Sequence, residues 1–476
     1  MSENCPQAAW NFCATLLKTQ ACQLPNHIQA FVVEIKFIDL FAGIGGFHRA
    51  MSSFGGKKGE CVLACEMDPH CRKVYAANFG SPGFFPENIR ELTREDVSDE
   101  NTEVELSEVK ERVPAHHVLC AGFPCQPFSK SGKQHGIKDS TRGTLFFDIM
   151  QIVRARSPKY LFLENVRNLA GPRHKKTLEI IIKSIRDEGY SVLDSPIILS
   201  PHFLSAGQGG SPQIRERVFI LAIKGLGKEA ALRKIAESVE LVRSKRSGWS
   251  PDDWRIADIL DSDEKIPNVS KYRVSKAEGA WLDAWDDFVK VIPCDNLPGF
   301  PIWAGEFPGF LKRAPDTSDP QMPGWKADFL LKNFNFFKEN KDVIMSWWYR
   351  HGVHGFPASR QKFEWQARSY HKTRRGRTIR DLVIQMRPSG IRVKPPTYLP
   401  ALVAITQTSI VGPEVAKGRI KGYRSLTPSE AALLQGMPRD CFSRPGGGVP
   451  DSVAYKQLGN AVNVGVIRFL AKQFIR

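Results

Sequence analysis

Cys125 is the residue of this sequence whose surroundings suggest chemistry most directly. It follows Pro124 in the stretch HHVLCAGFPCQPFS, where apolar and small residues predict a buried strand that ends just before the proline. Such a side chain lies at the carboxyl edge of a sheet, where ligands of open α/β folds bind. Cysteine is a strong nucleophile once ionised, and nearby arginines or a helix N-terminus favour the thiolate. The stretch alone also fits a protease, a redox protein or a buried core cysteine.

Further polar groups could act together with that thiolate. Glu164 ends the run KYLFLE, which predicts another strand reaching the same edge, although a carboxylate there is more often a plain strand-end residue. Gln213, Arg215 and Arg217 stand at every second position, so we expect them to share one face of a strand. Arginines on an apolar strand need partners, and a structural ion pair with Glu164 or Glu216 is the alternative to a catalytic role.

A glycine-rich turn and a distant acid suggest a nucleoside-containing cofactor. Gly43, Gly45 and Gly46 follow the apolar run IKFIDLF, and glycine there permits a tight turn and close approach of a ligand. The pattern is not GxGxxG, so a dinucleotide is not specifically indicated. Glu66 ends the run ECVLACE twenty residues beyond Gly46, where a carboxylate can accept hydrogen bonds from both ribose hydroxyls. A solvated strand-end carboxylate is the alternative for Glu66.

Strand-like and helix-like segments alternate from residue 35 to about residue 224, which predicts a mostly parallel, doubly wound α/β sheet. The helix-like stretch TLEIIIKSIRDEGY should end at Gly189. Near the C-terminus, Thr427 and Glu430 form a predicted capping box, with Gly436 as the stop signal. The last stretch, QLGNAVNVGVIRFLAKQFI, predicts a Gly-Asn turn followed by a helix that buries residues 464, 467 and 470.

The overall composition predicts a globular, cytoplasmic protein. The 476 residues leave room for two or three domains, and 42% are hydrophobic. No apolar run reaches the roughly 18 residues that span a membrane, and no secretory signal is visible. The ten cysteines lack CxxC pairs and zinc-site spacing, so we expect mostly reduced, buried thiols and no metal. The net charge of +17 favours a polyanionic partner.

Residues 224–422 differ in composition and predict a separate, irregular, basic domain. They contain 34 Lys and Arg against 23 Asp and Glu, and residues 360–394 contain eleven against two. Nine of the ten tryptophans lie between Trp249 and Trp365, and we expect them to form the domain's core rather than stacking platforms. Most basic residues there should contact phosphate rather than bases. The candidates for binding a nucleic acid are Arg374, Arg375, Arg377, Arg380 and Arg392.

The polar stretch KSGKQHGIKDSTRG lies between Phe128 and Leu145 and carries four basic residues. A long loop beside a nucleophile is often a lid, and here it would close over a bound nucleic acid, with Ser129 and Lys133 as contacts. An ordinary solvated loop is the equal alternative.

Seven stretches together resemble, in their order, the blocks of DNA (cytosine-5) methyltransferases of the prokaryotic restriction-modification type. They cover roughly residues 36–223 and 423–476, about half the chain, and residues 1–35 match nothing recognisable. The seven stretches are FIDLFAGIGGF, ECVLACEMD, GFPCQPFS, LFLENV, QIRERVF, RSLTPSEAALLQGMP and KQLGNAV. The resemblance implies a catalytic domain at 35–223, an inserted α+β target-recognition domain at 224–422, and a C-terminal segment, 423–476, that completes the catalytic domain. Residues 1–34 would be an N-terminal extension.

The resemblance also implies S-adenosylmethionine as the methyl donor and assigns roles to individual residues. The implied cofactor contacts are Phe41, Gly43, Gly45, Glu66, Asn88, Leu145 and Asn460. Asn88 stands where the family usually has aspartate for the adenine amino group, and Ala461 where many relatives have serine. In catalysis, Cys125 would attack C6 of cytosine and Glu164 would stabilise the charge that reaches N3. Arg215 would contact the base, and Arg217 would steady the site or be purely structural.

These inferences predict an enzyme that methylates C5 of a cytosine in a specific double-stranded DNA sequence after flipping the base out of the duplex. We expect a nucleoid-associated monomer without membrane contact, genetically linked to a cognate restriction endonuclease. One alternative is an RNA (tRNA) cytosine-5 methyltransferase, which shares the Pro-Cys-Gln block but would not need the large basic insertion. The other is a catalytically idle DNA-binding relative, against which the intact Cys125, Glu164 and Arg215 argue.

Overall fold

The apolar runs before residue 224 form the strands that the sequence predicts. The computed structural model describes residues 34–80, 84–99, 102–124, 145–245, 254–293, 297–371, 376–402 and 409–476. The predicted site residues Cys125, Ser129, Lys133, Arg374 and Arg375 lie outside these ranges, as does the extension 1–33. The first nine strands are β1 (Glu34–Leu40), β2 (Ser53–Phe54), β3 (Lys57–Cys65), β4 (Val118–Gly122), β5 (Tyr160–Val166), β6 (Tyr190–Val192), β7 (Ile197–Leu199), β8 (Gln213–Ile214) and β9 (Arg217–Lys224).

All of these strands except β8 belong to one eight-stranded sheet, the first sheet. Its order is β2-β3-β1-β4-β5-β9-β6, and β7 also pairs with β9. Strands β3, β1, β4 and β5 run parallel, whereas β9 is antiparallel to β5, and β6 and β7 are antiparallel to β9. The predicted mostly parallel core of the sheet is confirmed, with an antiparallel extension at one side.

Helices cover both faces of the first sheet, because side chains alternate along each strand. In β5, Leu161 and Leu163 pack into one buried cluster, whereas Tyr160 and Phe162 pack into another. The helices of this half are α1 (Gly46–Met51), α2 (Pro69–Phe79), α3 (Arg90–Thr93), α4 (Leu106–Arg112), α5 (Leu145–Arg156), α6 (Lys175–Asp187) and α7 (Glu229–Lys245). Helices α5 and α6 contribute to the Leu161 cluster, and α1 and α7 to the Phe162 cluster. The predicted end of α6 at Gly189, which has a φ of +77°, is confirmed.

The described part of residues 254–425 contains helices packed on a second sheet. The helices are α8 (Ile256–Ile259), α9 (Lys276–Val291), α10 (Phe307–Phe310), α11 (Gly324–Glu339), α12 (Lys341–Arg350) and α13 (Arg368–His371). The strands are β10 (Ile302–Trp303), β11 (Lys362–Trp365), β12 (Val383–Arg387), β13 (Gly390–Lys394), β14 (Leu399–Pro400), β15 (Ile410–Val411) and β16 (Arg424–Ser425). The second sheet has the order β10-β11-β13-β12-β15-β16, whereas β14 pairs with β8.

Tryptophans form much of the core beside the second sheet. Trp285 and Trp347 are fully buried, and the ring of Trp285 stacks on that of Phe363 with 4.5 Å between centroids. Trp325 departs from the prediction, because it is 61% exposed at the start of α11. The domain boundary predicted between residues 223 and 224 stays a prediction. Helix α7, which follows that boundary in the chain, packs against strands of the first sheet.

The C-terminal segment returns to the first sheet. Its helices are α14 (Pro428–Leu434), α15 (Asp451–Asn460) and α16 (Val464–Phe474). The capping box of Thr427 and Glu430 is present, and Val464, Ile467 and Leu470 are buried as predicted. The predicted Gly-Asn turn is wrong, because Gly459 and Asn460 end α15; the turn comes after them, where the Asn463 side chain caps α16. No helix in the described ranges is long and apolar enough to cross a membrane.

Candidate active site

Most of the predicted cofactor and catalytic residues that the structure describes lie at the carboxyl edge of the first sheet. Leu40 pairs with Cys65 and with Ala121, so the glycine turn, Glu66 and the Pro124 stretch all begin at that edge. Gly122 pairs with Glu164 across β4 and β5. The parallel strands therefore bring together residues that are more than 100 positions apart in the sequence.

The turn after β1 has a backbone that favours glycine. The φ angles of Gly43 and Gly45 are +56° and +83°, in the left-handed region where side chains are rarely tolerated. A Cβ atom at Gly45 would lie 2.2 Å from the ring of Phe79, so glycine is required there for space as well. Phe41 has a φ of +59° without being glycine, which marks a strained residue at the start of the turn.

Glu66 is the acid that this turn faces. Its Oε2 accepts a hydrogen bond from the backbone N–H of Gly43 at 2.8 Å, and its Oε1 accepts one from the N–H of Asp68 at 2.8 Å. Burial raises the pKa of the Glu66 carboxyl. Each carboxylate oxygen can accept a further hydrogen bond, which matches the need of two neighbouring hydroxyl donors.

Asn88 lies in the loop beside Glu66, because the N–H of Glu66 donates to the carbonyl of Pro86 at 3.3 Å. The Asn88 side-chain oxygen accepts the N–H of Arg90 at 3.1 Å, so one of its two lone pairs is used inside the protein. Leu145 is the half-buried first residue of α5.

A buried ion pair joins α5 to α3, the helix that follows Asn88. The Arg94 guanidinium lies 2.8 Å from the Asp148 carboxylate, and both side chains are fully buried. Thr93 donates a further hydrogen bond to Asp148 at 2.8 Å. Sequence reasoning missed this pair because its two halves are 54 positions apart and carry no shared motif. Asn460, the remaining predicted cofactor contact, is exposed at the end of α15.

Glu164 and Arg217 form the central ion pair of the edge. The Arg217 Nε lies 3.1 Å from the Glu164 Oε1, and Glu164 is only 8% exposed. Burial raises the pKa of the Glu164 carboxyl, and the nearby Arg217 and Arg215 oppose that rise. The result is a carboxyl group held in place by a cation and more easily protonated than an exposed glutamate.

Arg215 is buried and hydrogen-bonded to backbone carbonyls, and it does not lie on a strand as the sequence predicts. Its guanidinium donates to the carbonyls of Leu402, Gly459 and Ala461 at 2.7–2.9 Å. The prediction that Gln213, Arg215 and Arg217 share one strand face is wrong, because β8 ends at Ile214 and β9 begins at Arg217. Between them the Arg215 N–H bonds to the Ser200 hydroxyl at 2.8 Å instead of a neighbouring strand.

Asn165 is a site residue that the sequence interpretation did not single out. Its side-chain Nδ2 donates to the carbonyl of Phe123 at 3.0 Å, and its Oδ1 accepts the N–H of Val166. The hydrogen bond holds the backbone two residues before Cys125 against the strand that carries Glu164. The block LFLENV, where Asn165 follows Glu164, was the available signal.

The predicted DNA-binding arginines that the structure describes all have partners within the protein. Arg377 donates to the carbonyl of Ile292 at 2.6 Å. Arg380 pairs with Glu414 at 3.1 Å, and Arg392 with Glu364 at 2.7 Å. The last two pairs are partly exposed, and DNA binding by these arginines stays a prediction.

The chain belongs to the C-5 cytosine-specific DNA methylase family, whose sequence profile matches residues 35–292 and 314–476. It is therefore a DNA (cytosine-5) methyltransferase, and the resemblance inferred from the seven stretches is confirmed.

Individual relatives extend this likeness over nearly the whole chain. The chain is 36% identical to the type II methyltransferase M.AluI of Cellulosimicrobium cellulans, across 92% of each protein. It is 30% identical to the type II methyltransferase M.BanI of Aneurinibacillus aneurinilyticus, across 91% of this chain and 94% of that protein. The solved structure of the S. pombe Dnmt2 methyltransferase shares the fold, with a TM-score of 0.50 and 17% identity over 93% of this chain and 98% of that one.

Proposed function

We propose that this enzyme methylates C5 of one cytosine in a specific double-stranded DNA sequence by covalent catalysis from Cys125, and that it protects DNA from a cognate restriction endonuclease. The observation that carries the mechanism is the Glu164–Arg217 pair at the edge of the sheet that leads into Pro124 and Cys125. The family membership and the two long type II relatives support duplex DNA as the substrate.

S-adenosylmethionine fits the groups at the glycine turn. Glu66 offers two partly used carboxylate oxygens for the ribose hydroxyls, and the open space at the Cβ position of Gly43 leaves room for a ligand close to the backbone. Gly45 would contribute through the shape of the turn, since Phe79 fills the space beside it. Phe41 and Leu145 would supply apolar contacts, Asn88 the adenine contact, and Asn460 a contact from the C-terminal segment. When bound, S-adenosylmethionine supplies the methyl group as an electrophile.

The protein's own residues would make C5 of cytosine reactive enough to accept that methyl group. The Cys125 thiolate forms a bond to C6, and the electron pair of the C5–C6 double bond moves toward N3 and O2. Glu164 donates a proton or hydrogen bond to N3, which makes C5 enamine-like. After methylation, loss of the C5 proton to a base and departure of the thiolate restore the aromatic ring and free Cys125.

The geometry favours Arg217, rather than Arg215, as the arginine that acts beside the base. Arg217 holds the Glu164 carboxyl directly, whereas the two terminal nitrogens of Arg215 donate to three backbone carbonyls from two other segments. We therefore assign Arg215 a positioning role: it joins the β8–β9 connection to the end of α15 and to the chain after β14.

The decisive test replaces Cys125 and looks for its covalent bond to DNA. Cys125→Ser should abolish transfer of tritiated methyl groups to DNA, since a serine hydroxyl is a far weaker nucleophile than a thiolate. The wild-type enzyme should form a denaturation-resistant complex with DNA that contains 5-fluorocytosine at the target, because the C5 fluorine cannot leave as a proton does.

Two controls accompany this test. The same duplex with ordinary cytosine, and the Cys125→Ser variant, should give no stable complex. Full turnover by Cys125→Ser would contradict the mechanism, and methylation of tRNA but not DNA would contradict the substrate. Bisulfite sequencing of DNA from cells that express the chain would then identify the modified cytosine.

A further inference from the structure

A basic surface follows directly on the strand that carries Glu164. Residues 167–176, with the sequence RNLAGPRHKK, contain four Lys and Arg and no acid. We call this stretch the β5–α6 surface; it consists of two short 3₁₀ turns, Arg167–Ala170 and Pro172–His174, and the start of α6. It begins three residues after Glu164, so its first cation lies within about 11 Å of that residue along the chain.

The β5–α6 surface combines a buried apolar anchor with exposed positive charges. Leu169 is 1% exposed and packs into the cluster that also contains Leu161 and Leu163 of β5. The side chains of Arg173 and Lys176 are exposed, and within the described residues neither forms an ion pair. Because a buried leucine fixes this surface, little ordering of the backbone is needed when its cations bind a ligand.

The acids near this surface neutralise little of its charge. Arg167 lies 3.6 Å from Glu216, and Lys175 lies 4.0 Å from Glu179, with all four side chains partly or largely exposed. Pairs this exposed contribute little and exchange readily. Glu216 lies between Arg215 and Arg217, so the Arg167 contact also places the surface beside the site.

We propose that the β5–α6 surface is a second DNA-binding surface, which holds the phosphodiester backbone of the duplex next to the flipped cytosine. The inference rests on the proposed function, because it takes the Glu164 edge as the place where the target base enters. Arg173 and Lys176 would contact phosphates and contribute no sequence preference. The recognition insertion would select the sequence, while this surface fixes the duplex on the catalytic side.

The test compares two double variants that remove the same charges from different edges of the first sheet. Arg173→Ser with Lys176→Ser removes two exposed cations of the β5–α6 surface. Arg233→Ser with Lys234→Ser is the control, because both residues are exposed near the start of α7. Helix α7 follows the end of β9, where Ile223 pairs with the first residue of β5, so the control lies toward the opposite edge.

The measured quantity is the dissociation constant for DNA as a function of salt. We expect the slope of log Kd against log salt to fall by about two for the Arg173 and Lys176 variant, since each lost phosphate contact removes about 0.9. Specific and random duplexes should lose affinity by the same factor, and kcat at saturating DNA and low salt should stay at the wild-type value.

Three outcomes would overturn the inference. They are an unchanged slope, a slope reduced equally in the Arg233 and Lys234 control, and a loss confined to the specific sequence, which would mean base recognition. An unchanged slope would also be the result if the surface served an acidic protein instead of DNA. Wild-type enzyme that failed to methylate DNA at all would instead contradict the proposed function, so the two failures are separable.

Discussion

The carboxyl edge of the first sheet and the basic strands of the second sheet use charge in opposite ways. At the edge, Glu164 is 8% exposed and Arg215 is 2% exposed, and both are held by partners within the protein. On the second sheet, Arg392 pairs with Glu364, and roughly a quarter of each side chain remains exposed. A buried ion pair is costly to break, whereas an exposed one contributes little.

This contrast matches the function that we propose for each region. Catalytic groups must stay in one geometry while charge develops on the base, so fixed partners and burial are useful there. Recognition groups must release their partners when DNA arrives, so weak, exposed pairs are suitable. The comparison predicts that substitutions at the edge change chemistry or stability strongly, and that substitutions on the second sheet change binding with little effect on folding.

Glu164→Gln should give the largest effect. The amide cannot donate a carboxylic proton to N3, so we expect kcat to fall about 10²- to 10⁴-fold, the usual range for loss of a general acid. DNA affinity should change little. Because burial raises the pKa of Glu164, the wild-type rate should decline as pH rises through that pKa and the acid deprotonates, and the variant should lack this decline.

Glu216→Gln is the matched control for that experiment. Glu216 is a neighbouring glutamate whose 3.6 Å pair with Arg167 is partly exposed, so its loss should leave kcat nearly unchanged. Measurement of methyl transfer in a single turnover separates chemistry from product release. If both variants lost the same activity, the special role of the buried carboxyl would be refuted.

Asp148→Asn should show the next largest effect, on stability. It removes the fully buried carboxylate beside Arg94, and the loss of one partner of a buried pair costs about 3–5 kcal/mol. Glu103, which lies 3.4 Å from Arg94 and is partly exposed, would remain as a weaker partner. Urea unfolding followed by circular dichroism would measure the loss. Asp187→Asn is the control: its pair with Lys183 on α6 is exposed, so less than about 1 kcal/mol should be lost.

The first sheet could be predicted from the sequence largely because its signals are local. Strands buried on both faces appear as short apolar runs, and β1, β4 and β5 each carry one. Thr427 and Glu430 likewise predict a helix start from residues three positions apart. The Gly-Asn turn failed for the converse reason: Gly459 remains helical because α15 is fixed by tertiary contacts that include the Arg215 hydrogen bond to its carbonyl.

The sequence predicts which residues belong to the site better than it predicts which of them contact one another. Glu66 and Glu164 follow from their places at strand ends. The sequence could not distinguish Arg217 from Arg215, because that difference depends on Leu402, Gly459 and Ala461, which lie far away in the chain. Beside the second sheet, Trp325 and Trp285 have the same residue type but opposite exposure, and this difference depends on how α9 and α11 pack.

Arg392→Ala should have the smallest effect on stability and a clear one on DNA. Its partly exposed pair with Glu364 predicts a loss of less than about 1 kcal/mol on unfolding. If Arg392 contacts a base, the variant should lose about 1–3 kcal/mol of discrimination at one position of the site; if it contacts phosphate, all duplexes should weaken equally. Arg350→Ala, which breaks the exposed pair with Asp287 outside the basic stretches, should change neither property. If Arg392→Ala lost as much stability as Asp148→Asn, the distinction between the two regions would be refuted. The ion pairs of the second sheet would then stabilise the fold instead of being free to exchange for contacts with DNA.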